Sequence, residues 1–137
     1  MKMEYPAKII LAWGEAIGGN TEIRDWLMKN GYPELGVFVF ALNNQDEARN
    51  WLMANKQEHL MALIRGSEGD PNACLWLRKF GFSIMEKMAR AADNDDDSLH
   101  KLMNSGNSDF ATLALKMRSV KNQIEDDNND VHKLNIG

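Results

Sequence analysis

Apolar residues recur three and four positions apart along most of this chain, the spacing of one face of an α-helix. A longer period lies over that one. Trp26, Trp51 and Trp76 are 25 residues apart, and Leu102 follows after 26. Each is followed by an apolar neighbour, Leu27, Leu52, Leu77 or Met103, and preceded three positions earlier by Ile23, Ala48, Ala73 or Leu99. Leu35, Leu60 and Met85 lie nine positions after the three Trp residues, and Phe38, Leu63 and Met88 lie twelve after them. No stretch alternates β-branched and polar residues as strands do. The pattern predicts a unit of about 25 residues, which holds two helices of roughly ten residues and two short turns.

Start and stop signals place the elements. A lone first helix is predicted over 6–17. Helix pairs follow over 21–30 and 33–43, 45–54 and 57–66, 71–80 and 83–92, and 98–104 and 109–122. Asn44 with Glu47, and Ser83 with Glu86, have the spacing of capping boxes. Asp70-Pro71 reads as an N-cap with proline at the first helical position. Gly31 and Gly81 suit left-handed residues that close a helix. Asp97 or Ser98 is expected to open the helix bearing Leu102, and Ser108 the next. Trp13 and Ile10 fall at the registers of Phe38 and Leu35, so the first helix matches the second member of a pair.

The fold class expected is all-α, a right-handed α-solenoid of about four helix-pair repeats plus an N-terminal helix. One domain is expected over 1–122, with repeats at about 20–44, 45–69, 70–96 and 97–122. Residues 123–137 read as a polar tail in which Val131 and Leu134 are positioned to dock. A ten-residue helix is marginal alone, and stacking buries the face it lacks. The Trp register then predicts a column of rings at successive unit interfaces. Buried, that column is a core ladder; exposed, it is a strip for a peptide partner.

The order apolar-x-x-Trp-Leu, Gly-aromatic, Leu-x-x-apolar resembles the helix pairs of ankyrin-type repeats. "GDPNACLWLRKFGF", from Gly69 to Phe82, carries it best. The likeness spans residues 20–121, without a Thr-Pro-Leu-His signature and with a shorter unit that leaves no room for β-hairpin fingers. It implies a compact ankyrin-like or HEAT-like array, and with it the habit of binding another protein on an extended face.

Composition narrows the function classes. The 137 residues suffice for one domain with a core. The net charge of −4 is spread evenly: residues 1–44 carry four positive and five negative charges, 45–96 seven and nine, and 97–137 five and six. No segment offers the basic footprint that nucleic acid or an anionic membrane requires. Cys74 is the one cysteine, which fits a reducing, cytoplasmic setting. The apolar run from Ile9 to Trp13 is too short for a signal sequence or a span.

Candidate chemistry is sparse. "DNDDD", Asp93 to Asp97, suggests a calcium loop, but Ser98 stands where an EF-hand needs glycine and Asn104 where it needs glutamate. His59, His100 and His132 have no metal-ligand spacing, and Cys74 has no cysteine partner, so no metal is expected. "GEAIGG" follows a helix and lacks the lysine of a nucleotide loop. No catalytic residues and no cofactor are expected. Arg78, Lys79, Lys87 and Arg90 form the one candidate surface, suited to an acidic partner, with a solvated charged face as the plain alternative. The reading is a non-catalytic module that binds a protein or peptide. A self-associating homodimer is the alternative, and an enzyme assembled across repeats a third class.

Overall fold

The computed structural model describes the backbone of residues 4–136 and the side chains of residues 4–128. Those residues are all-helical, with nine helices and no strand: α1 (Ala7–Ile17), α2 (Thr21–Lys29), α3 (Pro33–Leu42), α4 (Asp46–Ala54), α5 (Glu58–Ser67), α6 (Pro71–Lys79), α7 (Ser83–Ala92), α8 (Asp96–Asn104) and α9 (Ser108–Ile136). Helices α2, α4, α6 and α8 each begin 25 residues after the last, and so do α3, α5, α7 and α9. The helix expected over 109–122 runs on to Ile136, through the segment expected as a tail. The side chains of Val131 and Leu134 lie outside the described residues.

The turns keep the same period because each closes a helix in the same way. Positive φ occurs at Gly19, Asn44, Gly69 and Asn94, and at Gly31, Lys56, Gly81 and Gly106. One residue beyond each, a backbone N–H reaches back into the helix. Tyr32 N donates to Leu27 O, Gln57 N to Leu52 O, Phe82 N to Leu77 O and Asn107 N to Leu102 O, at 2.8–3.0 Å. These are the six-to-one bonds of Schellman closures, which need a left-handed residue just past the helix. Glycine takes that conformation freely; at Lys56 (φ 61°) a side chain bears the cost.

Three cap assignments differ from the sequence expectation. Asn44 is left-handed and Gln45 is the N-cap of α4; Arg49 and Lys121 both donate to the Asn44 amide oxygen. Phe82 is the N-cap of α7, and Glu86 reaches Arg78 and Arg90 instead of a backbone N–H. Asp95 opens α8, accepting from Asp97 N and Ser98 Oγ. Asp70 caps α6 as expected, accepting from Asn72 N and Ala73 N.

The expected Trp core ladder is corrected. Leu27, Leu52, Leu77 and Leu102 are the fully buried column, at an even spacing of 25. Trp26 is 46% exposed, and Trp51 and Trp76 are half-buried against the core. Leu102 therefore pairs with these leucines, and exposed Lys101 occupies the Trp register. Adjacent residues on a helix point about 100° apart. The Leu positions are therefore buried while the Trp positions reach the surface, and successive even-numbered helices do not pack on one another.

The odd-numbered helices form the centre. Trp13, Phe38, Leu63, Met88 and Leu113, again 25 apart, are buried there, with Trp13 and Phe38 edge-to-face at 5.1 Å between ring centroids. Burial of each such side chain is worth about 1.5–3 kcal/mol. Helix α9 packs against α1, α3, α5, α7 and α8. The first and last helices therefore meet, and a Cβ added at Gly14 of α1 would sit 3.4 Å from Leu113 of α9.

Candidate binding groove

Closure of the array leaves a groove of about 840 Å3 beside α9. One wall is a single face of α9. Leu115, Ser119, Val120, Gln123, Ile124 and Asp127 all line it, and their spacing of one, three or four residues keeps them on one side of a helix. The other wall comes from Ala16 and Ile17 at the end of α1, Arg24 of α2 and Val39 of α3. The floor is mostly apolar, and Leu115 stands 43% exposed within it.

The charged groups of the groove sit on its rim and are loosely held. Lys116 Nζ lies 3.6 Å from Glu15, and Arg24 donates to Asp25 at 3.1 Å with its guanidinium 4.2 Å above the Phe40 ring. Such exposed pairs contribute little and exchange readily with a partner's charges. Among the described residues no histidine or cysteine lines the groove, which offers apolar contact with a few charges.

The opposite side of α9 holds this wall in place. Lys121 Nζ donates to Leu42 O at 2.7 Å, Asn44 Oδ1 at 3.1 Å and Glu68 Oε2 at 2.7 Å. Arg49 donates to the same Glu68 and to Ala41 O. Burial alone would raise the Glu68 carboxyl, but hydrogen bonds from Arg49 and Lys121 outweigh it and hold it below the usual range. Arg118 adds bonds to Ala91 O and Asp96. Three turns of the array are thus tied to one helix, which gives a preorganised wall.

The four basic residues singled out in the sequence lie elsewhere. Glu86, buried at 6% exposure, accepts from Arg78 at 2.6 Å and from Arg90 at 3.1 Å. Its carboxyl, which burial would raise, is held low by those two guanidinium groups. Glu86 thus pairs with two of the four and offsets one of their positive charges. Lys79 is exposed, 5.9 Å from the Phe80 ring centroid, and Lys87 is half-buried. Beside them runs an aromatic stack that sequence reading missed: Phe82 lies parallel to His59 at 5.1 Å and to Trp76 at 6.1 Å. Burial lowers the His59 pKa against the opposing pull of Glu58 and Glu34.

The remaining sequence candidates have structural employment. Asp93–Asp97 forms the turn and cap between α7 and α8, and among the described residues no cluster of His, Cys, Asp or Glu is arranged to hold a metal ion. Cys74 is buried under Gly66, and that burial pushes its thiol up. No described helix is long and apolar enough to cross a membrane. No known family, curated protein or solved structure matches the chain.

Proposed function

We propose that this chain is a non-catalytic binding module that takes an amphipathic helix of a protein partner into the groove beside α9. Its scaffold is then a right-handed α-solenoid of four helix pairs and an N-terminal helix, curved until its ends meet. The recurrence of helices and closures every 25 residues supports that reading, as does the resemblance of the helix pairs to ankyrin-type repeats. Contact of α1 with α9 takes away the long inner face on which open arrays bind. The groove is what remains, and its apolar floor and charged rim are the features of helix-in-groove recognition. That lining is the observation that carries the proposal. A protein segment suits it better than nucleic acid, given the net charge of −4. A cytoplasmic setting suits the buried Cys74 thiol.

Selection of displayed helical peptides on the immobilised protein tests this. The enriched sequences are expected to share apolar positions at i, i+3, i+4 and i+7. Ser119→Trp, at an exposed position on the α9 wall, fills the groove and should weaken those peptides by at least about tenfold while the helical circular dichroism is kept. Peptides that bind Ser119→Trp as well as the parent protein would place binding outside the groove.

A further inference from the structure

The α9 face that lines the groove has an internal symmetry. Lys116 stands near one end and Asp127 near the other, eleven residues or about 16 Å apart at the usual rise. In an antiparallel pair of such helices, residues equidistant from the midpoint of Lys116 and Asp127 face each other. Lys116 of each copy then meets Asp127 of the other. Small Ser119 meets Ile124, and Val120 meets the aliphatic stem of Gln123. A parallel pairing would instead stack lysine on lysine and aspartate on aspartate.

Resting on the groove reading above, we infer that the helix the groove takes is α9 of a second copy of this chain, in a two-fold symmetric, antiparallel dimer. A two-fold interface must be self-complementary. Lys116 with Asp127 meets that condition in charge and Ser119 with Ile124 in size, while Leu115 falls opposite Asn128. The apolar component comes from Leu115, Val120 and Ile124; Ile17 and Val39 on the facing wall are already mostly covered. Exchange of the long Lys116–Glu15 contact for the Asp127 carboxylate of the second copy loses little, because that contact is exposed and 3.6 Å apart.

Sedimentation equilibrium of the full chain from micromolar to millimolar concentration, at low and high salt, tests the inference. The wild type is expected to dimerise reversibly. Lys116→Asp and Asp127→Lys should each weaken the dimer by about tenfold or more, since each removes two charge pairs and creates repulsion. The double variant, Lys116→Asp with Asp127→Lys, should recover it. Asp127 is exposed and Lys116 partly so, and thermal unfolding of each of the three variants verifies that the fold is intact. A wild type that stays monomeric overturns the self-pairing but leaves the groove open to another helix, which the peptide selection decides. A double variant as weak as the singles overturns the antiparallel register. A dimer indifferent to these changes and to Ser119→Trp uses another surface, and both readings then fail.

Discussion

Trp13→Ala lowers the free energy of unfolding by about 3–5 kcal/mol, while Trp26→Ala changes it by less than about 1 kcal/mol. Trp13 is fully buried at the centre of the odd-numbered helices, packed by Tyr5 and edge-on to Phe38. Its removal leaves a cavity that Leu113 and Phe38 cannot fill without shifting whole helices. The loss is softened only by the indole N–H, which has no hydrogen-bond partner among the described residues. Trp26 lies half in solvent, and its loss uncovers little. Urea denaturation of the two variants checks the pair. Equal costs would restore the aromatic ladder at the Trp26 register and contradict the leucine column.

Lys121→Met lowers stability at neutral pH by about 1–3 kcal/mol, the range for hydrogen bonds to charged groups. The Lys121 side chain is 11% exposed and that of Glu68 30%. The change leaves Leu42 O without this donor and Glu68 with Arg49 alone. It also cuts the tie between α9 and the turns after α3 and α5. The effect has a pH signature. The folded Glu68 carboxyl is held below its ordinary value of 4.5, so it binds fewer protons than the unfolded one. Its stabilisation is complete above that ordinary value and is lost as pH falls through the lowered folded value. Wild type and variant should therefore differ most at pH 7 and converge below pH 4.5. Urea midpoints across that range measure it; a constant difference would mean that Glu68 is not the group concerned.

Much of the fold is legible in the chain because its signals are local. Helix spacing, the Asp70 cap and the glycines at 31 and 81 each act within a few residues. The Trp register departs from expectation because Trp and Leu are adjacent, and size alone favours the larger ring for the core. Lys101, at the Trp register of the fourth unit, was the available correction, since a lysine there marks a surface position. The pairing of Arg78 and Arg90 with Glu86 was also within reach, as Glu86 lies four residues before Arg90 on one helix face. The groove was not. It depends on the contact of α1 with α9, which joins segments about a hundred residues apart and leaves no local mark. Ser119 and Ile124 carry no signal apart from that closure.

Hydrogen–deuterium exchange at low and high protein concentration tests the central claim most directly, because it reads which backbone segments are covered. The account predicts that concentration slows exchange in residues 112–127 and in the facing wall at 16–24 and 39–43, with α4, α6 and α8 unchanged. Exchange that ignores concentration along α9, or that slows instead around Trp26, Met53 and Phe80, would contradict it.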